Sequence, residues 1–251
     1  MRKVLAVLCT CALAVLLIYV VTLLPAMGDP DNPTNSNVVP RYLEQGEQEA
    51  GTRNIVAGVV FNYRGYDTMG EVAIFSAALA GIFAVLGAGR RKIGRAFIDE
   101  SRVKFSFVSG TAVVLVMPLI ILFSIYVIFY GTDSPGGGFQ GGAAIGAGVM
   151  LFTAAFGFCR AQERIPHHVR IILESTAIGG FFLVGTAGVI GGANFLTYAI
   201  PSLSAQSQTA LRAAMLLILQ FGIGIKVGVI CTSILFALLR EEETDGVEHA
   251  C

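Results

Sequence analysis

Residues 106–130 read SFVSGTAVVLVMPLIILFSIYVIFY, a run of 25 positions without one charge. A helix needs about 20 mostly apolar residues to cross the hydrocarbon core of a bilayer. This run is long enough, and five more stretches qualify on either side of it: roughly 4–24, 70–89, 139–159, 171–193 and 211–239. Backbone in lipid must satisfy its own hydrogen bonds, which leaves helices as the natural form for uncharged runs of this length. The expected fold is therefore all-α, a polytopic membrane protein of about six transmembrane helices. Composition agrees. The chain of 251 residues is 55% hydrophobic and 14% charged, against roughly 25% charged for a soluble domain. Mean hydropathy is +0.73. The formal net charge is zero, whereas a nucleic-acid binder carries a basic surplus, so no nucleic-acid partner is expected.

The first span follows Met1-Arg2-Lys3, which raises the question of a signal peptide. Its apolar run of about 20 residues exceeds the usual h-region of about 7–15. Leu24-Pro25-Ala26-Met27-Gly28 is a weak cleavage site. A retained anchor is the expectation. The five cysteines, with Cys9 and Cys11 as C-x-C inside an apolar run, show no metal-ligand spacing. They read as small apolar residues, so neither a disulfide framework nor a metal site is expected. Trp is absent, which leaves Tyr and Phe to occupy the membrane interfaces.

Lys and Arg set orientation. With the N-terminus inside, the cytoplasmic segments hold twelve basic residues, at 2–3, 90–104, 160–170 and 240. The outer segments hold four: Arg41, Arg53, Arg64 and Arg212. That bias puts both termini in the cytoplasm. The outer segment 25–53 begins with turn-forming Asp29-Pro30-Asp31-Asn32-Pro33. It reads as extended chain over an outer surface, or as a solvated loop. Residues 54–63 are apolar but too short to cross, and suggest an interfacial or re-entrant element. The basic stretch 90–104 divides the chain into a two-span module (1–95) and a four-span module (101–240), followed by an acidic cytoplasmic tail (241–251).

Charges at membrane depth are costly, and they mark ion paths or contacts with neighbouring proteins. Arg64-Gly-Tyr-Asp67-Thr-Met-Gly-Glu71 leads into span two. Asp67 suits the N-cap of that helix, where carboxylates meet free N–H groups and the helix dipole. Glu71 directly precedes Val72-Ala-Ile-Phe75, so it faces low dielectric or a protein neighbour. Arg64 is its nearest candidate partner, and the Glu71 carboxylate, as an ionisable group, can exchange H+ or bind Na+. Glu174 sits about one turn into span five, with Arg170 at i−4 as the plain ion-pair solution. His167 and His168 read as interfacial. Lys226 lies mid-span in Gln220-Phe-Gly-Ile-Gly-Ile-Lys226-Val-Gly228. It is too deep to snorkel. Lys226 must find a partner, with Glu71 and Glu174 the candidates in this chain and a group on another subunit an equal alternative.

Between spans three and four stands Gly131-Thr-Asp-Ser-Pro135-Gly136-Gly137-Gly138-Phe139-Gln140-Gly141-Gly142. Proline and this density of glycine forbid regular helix at its start. Without G-x-x-x-x-G-K-[ST] it is no phosphate loop. It implies a broken or re-entrant entrance to span four that is packed closely on another helix. Ion coordination by its carbonyls is the sharper alternative.

These motifs resemble the Mrp (Mnh or Sha) multisubunit Na+/H+ antiporters and the related membrane-bound hydrogenases. Residues 101–240 resemble the MnhB-type subunit through Tyr130-Gly131, Ser134 to Gly142, Leu173-Glu-Ser175 and Gly222 to Gly228. Residues 54–90 resemble the module at the C-terminal end of the large antiporter subunit, which also occurs as a separate small hydrogenase subunit. Asn54-Ile-Val, Tyr63 to Thr68 and Gly70-Glu71 carry that likeness. In the family pattern a His follows the glycine before PGGGF; here Thr132 stands there.

The resemblance implies a helical subunit of a large membrane complex in a prokaryotic cell membrane. It would hold no cofactor and no catalytic centre of its own. Its partners would be large antiporter-like subunits, small helical subunits, the lipid bilayer and Na+ or H+. Three rivals stay open: a membrane-arm subunit of an energy-converting redox complex, a pure scaffold, and a stand-alone permease. The candidate ion-path residues are Glu71, Lys226, Asp67, Glu174 and Arg64. Pro135, Gly136, Gly137, Gly138 and Phe139 form the structural motif.

Overall fold

A computed structural model describes residues 2–88, 107–198 and 204–243. The dividing stretch 90–104 and the acidic tail from 244 onward lie outside the described residues. The chain forms two units, Met1–Gln45 and Gly46–Cys251.

The first unit begins with α1 (Arg2–Thr22), whose side chains are exposed wherever they are described. A π-helical turn (Thr34–Val38) and α2 (Val39–Glu44) follow. This corrects the expectation of an extended 25–53 segment. Asp29 and Asn32 side chains accept the Asp31 and Thr34 amides at 3.0 and 2.9 Å, which turns the chain. Pro40 then sits in the first turn of α2, where its missing N–H costs nothing.

The second unit holds α3 (Gly46–Ala50), α4 (Ile55–Ala57), a π-turn (Gly58–Tyr63) and α5 (Gly65–Ala88). It continues with α6 (Phe107–Phe129), a 3-10 turn (Tyr130–Thr132), α7 (Gly138–Phe156), α8 (Phe158–Arg164), α9 (His167–Ile190) and α10 (Ala205–Glu243). Among the described residues, six helices are long and apolar enough to cross a membrane: Lys3–Thr22, Gly65–Val85, Gly110–Thr132, Gly138–Phe156, His167–Ile190 and Ser207–Leu239. The all-α polytopic expectation holds. Span five starts four residues before its apolar run and ends three residues before the run does, and span six extends past its run at both polar ends. Ser204, for example, accepts the Ser207 amide at the start of α10 (3.4 Å), an N-cap contact.

Helix α10 is the hub, packed on α5, α6, α7 and α9. The α7 contact is the tightest. Gly138 abuts the Gln220 carbonyl. A Cβ at Gly142 would lie 2.5 Å from the Gly224 carbonyl, and one at Gly146 would lie 2.6 Å from Cys231 Cβ. One glycine per helical turn thus lets two backbones run side by side and parallel. On the other flank of α10, Gly222 faces the Ala177 carbonyl of the antiparallel α9. An apolar core of Phe61, Val72, Phe181, Tyr198, Leu216 and Ile223 ties α5, α9 and α10 together.

Candidate functional site

Lys226 is completely buried. Its Nζ donates to a Glu174 carboxylate oxygen from α9 and to Ser76 Oγ from α5 at 2.6 Å. Three helices thus converge on one ammonium group. An unpaired charge at this depth would cost several kcal/mol; an opposite charge and a hydroxyl offset much of that. The Glu174 side chain keeps 19% of its surface open, against 1% for Lys226. The carboxylate is the accessible member of the pair, and the ammonium lies behind it.

Glu174 therefore turns to Lys226. Arg170, at i−4, lies over the Phe236 ring, 4.6 Å from its centroid, a cation–π seat. Ser76 was not singled out from sequence, although a hydroxyl in the middle of Ala-Ile-Phe-Ser-Ala-Ala is a signal of the same kind as a mid-span charge. The Lys226 partner is Glu174 and not Glu71.

The Arg64 cluster is arranged differently from expectation. Helix α5 starts at Gly65, so Asp67 lies inside its first turn and does not cap it. Asp67 pairs with Arg64, whose Nε approaches Oδ2 at 2.5 Å. Both side chains are more than half exposed, where such pairs contribute at most about 1 kcal/mol. Arg64 is thereby engaged one turn away from Glu71. Glu71 is exposed, two turns into α5. Among the described residues, no hydrogen bond or ion pair reaches its carboxylate.

The glycine-rich segment is a break between two full helices. Gly137 has φ 156° and ψ 174°, a region open to glycine alone. Gly136 lies against the Val127 carbonyl, 2.8 Å from where its Cβ would be. The expected alternative, carbonyls facing an ion, meets an obstacle. Asn54 Nδ2 donates to the Gly131 and Ser134 carbonyls at 2.8 and 2.9 Å. The Thr132 carbonyl accepts the Asn54 amide at 3.0 Å and the Thr52 hydroxyl. Asn54 Oδ1 meanwhile caps α4 through the Val56 and Ala57 amides. Sequence reasoning placed Asn54 in a motif without seeing this role. Thr132, which stands where the family pattern has His, contributes its backbone here.

Nearby, Tyr198 donates to the Phe61 carbonyl at 2.8 Å, and burial pushes its phenol well above the ordinary tyrosine range. His167 and His168 are exposed at the start of α9. No group of His, Cys, Asp and Glu among the described residues is arranged to hold a metal. Cys9, Cys11 and Cys231 are free thiols.

Comparison with known proteins shows what the chain is similar to. A model of the domain related to the MnhB subunit of Na+/H+ antiporters matches residues 108–233, and a model of MbhE, one of the subunits of MBH, matches residues 2–104. The probable K+/H+ antiporter A/B protein of Rhizobium meliloti (strain 1021) is 27% identical over 188 residues, 66% of this chain and 18% of that protein. The chain spans less than two thirds of the length of the curated relatives it matches. A chain in the structure of the membrane-bound sulfane sulfur reductase, an archaeal respiratory membrane complex, is similar at 30% identity and a TM-score of 0.64. That match covers 95% of this chain and 98% of the other. The Mrp complex from Dietzia sp. DQ12-45-1b shares the fold, with a TM-score of 0.68 at 23% identity, over 98% of this chain and 27% of that one.

Proposed function

The chain belongs to the family of the domain related to the MnhB subunit of Na+/H+ antiporters, and on that premise we propose that it is a non-catalytic membrane subunit of a multisubunit cation/proton antiporter. The observation that carries this reading is the buried Lys226 held by Glu174 and Ser76. A scaffold can bury leucine at such a place at lower cost; an ionised pair with one accessible member can exchange charge. A cation or proton arriving at the open Glu174 oxygen competes with the ammonium for the carboxylate. When Glu174 is taken, Ser76 Oγ still holds Nζ, so Lys226 can give up a proton without losing its place. Two cations competing for one carboxylate is the elementary step of exchange.

Glu71 has a different part. Its exposed carboxylate near one end of α5 faces outward from the chain, where a cation on a neighbouring protein or a passing Na+ or H+ would meet it. The Arg64–Asp67 pair one turn away balances its own charge, so Arg64 does not neutralise Glu71. The partners are the large antiporter-like and small helical subunits of one complex in a prokaryotic cell membrane.

The test is antiport in vesicles carrying the assembled complex with Lys226→Met, Glu174→Gln or Glu71→Gln. Loss of cation-driven proton movement with assembly intact is expected for each. Undiminished antiport in all three assembled variants would reduce the chain to a scaffold. A second reading, membrane-arm subunit of a redox-driven complex, is favoured by the nearly full-length likeness to a chain of a respiratory complex. Affinity purification from the native membrane, with mass spectrometry of the partners, separates the two. Large antiporter-like proteins without a redox protein support the first, and a redox protein in their company supports the second.

A further inference from the structure

The Lys226–Glu174 pair has an exposed edge on the flank of the molecule. Ser76, which holds the Lys226 ammonium, lies well inside the span Gly65–Val85, about 16 Å along the helix from one end and about 14 Å from the other at 1.5 Å per residue. That is the middle of a bilayer. There Lys226 is sealed, while 19% of the Glu174 side chain stays exposed. At 3.6 residues per turn, buried Val72 and Leu79 fall to one side of Ser76 on α5, and exposed Ala73, Ala77 and Ala80 fall to the other. On α9, buried Ala177 and Phe181 fall to one side of Glu174, and exposed Ile171 and Ser175 to the other. Both exposed sides look out between α5 and α9, with Lys226 of α10 behind them.

We propose that this face seats a transmembrane helix of a neighbouring subunit, and that the helix presents a hydrogen-bond donor to the exposed edge of Glu174. A carboxylate edge turned to hydrocarbon at this depth is heavily penalised, and lipid tails offer it no donor. A second copy of this chain, presenting the same face, would bring carboxylate against carboxylate. A water-filled crevice would run between walls of alanine and isoleucine, with Ser175 the polar exception. A helix with one polar side chain meets both needs of the surface. Ala73, Ala77 and Ala80 recur at helical spacing and let another backbone come close. A Lys, Arg, His, Ser, Thr, Asn or Gln on that helix can donate to the carboxylate.

The donor then stands at the exposed edge of the pair, so a cation or proton bound for Glu174 arrives along this interface. The inference rests on the reading of the chain as a subunit of a membrane complex. It holds equally for an antiporter and for a redox-driven complex.

The test uses the assembled complex in its native membrane. A photoreactive benzophenone side chain takes the place of Ile171 or of Ala80, and the crosslinked peptides are sequenced after illumination. Both positions are expected to join one membrane-spanning segment of another subunit, with a donor side chain within a turn of the adduct. Adducts with lipid alone, with a second copy of this chain, or with a segment that carries no donor there would overturn the proposal. Ser175→Cys reports on water. In permeabilised membranes a water-soluble maleimide should label it, above the native thiols, much more slowly than Asn35→Cys in the exposed segment before α2. Equal rates would identify a wet crevice and defeat the helix assignment. Finally, replacing the donor so found with Ala should lower the Tm of the wild-type complex, and lower it less in the Glu174→Gln complex, where the charge it answers is gone. Equal shifts in the two backgrounds would show that the donor and Glu174 do not meet. None of these readouts is antiport, so failure of the contact and failure of the transport role stay distinguishable.

Discussion

Lys226 and Glu174 illustrate how much one residue's surroundings decide. Removing either partner leaves the other charge buried without compensation, a loss of about 3–5 kcal/mol for a buried pair. Lys226→Met alone and Glu174→Gln alone should each lower the melting temperature of the complex markedly. The double variant Lys226→Met/Glu174→Gln should melt closer to wild type than either single one, because no unpaired charge remains. Antiport should nevertheless stay lost in the double variant. A double variant that is as unstable as the sum of the singles would show that the two side chains do not act as a pair. The depth of Lys226 was legible in sequence because a cation in an apolar run cannot be overlooked. Its partner was not, since Glu71 and Glu174 are equally plausible until the helices are packed. Only the convergence of α5, α9 and α10 selects Glu174, and the same convergence brings in Ser76.

At the scale of the element, backbone proximity governs. The α7–α10 contact exists because Gly142 leaves no Cβ between the helices: one added there would meet the Gly224 carbonyl at 2.5 Å and Val227 Cβ at 2.8 Å. Overpacking of this kind costs about 1–3 kcal/mol. Gly142→Ala should thus lower Tm, while Gly180→Ala on α9, where a Cβ meets nothing within 4 Å, should be neutral or raise it by the helix propensity of alanine, up to about 1 kcal/mol. Equal responses from the two would refute the glycine-seam account. The loop after α9 offers a separate test. The Tyr198 phenol is held above its ordinary pKa by burial, so the unfolded chain ionises first as pH rises. Its stabilising contribution is complete below about pH 10 and declines above it. Tyr198→Phe should cost about 1–3 kcal/mol at neutral pH by leaving the Phe61 carbonyl without its donor, and should also flatten the alkaline fall in Tm. An alkaline slope identical to wild type would rule Tyr198 out as its source. Helix existence was readable from the apolar runs, and close packing from the glycines. The short helices at 34–50 and the Asn54 hydrogen bonds were not, because they depend on turns and on a loop some 77 residues away in sequence.

For the whole molecule, the charge on connecting segments decides which way the chain sits. Twelve of the seventeen basic residues fall on segments assigned to one side, and four on the other. Lys226 is the remaining one, and it is neutralised internally. The positive-inside rule counts Lys and Arg on short loops near the spans, and the stretch 90–104 alone supplies six of the twelve. The expected topology therefore has both termini and 90–104 in the cytoplasm, with 46–64, the glycine break and the start of α10 on the outer side. Even span number and charge bias agree, which either alone would leave open. Reporter fusions check this directly. A fluorescent protein that matures only in the cytoplasm should be bright after residue 243. An exported phosphatase should be active when fused after residue 64 or after Thr132. Replacing the basic residues of 90–104 with Gln or Ser should weaken the orientation and give mixed reporter signals. An active phosphatase after residue 243 would reverse the orientation, and with it the side from which an ion reaches Glu174, one to two turns into α9 from its His167 end.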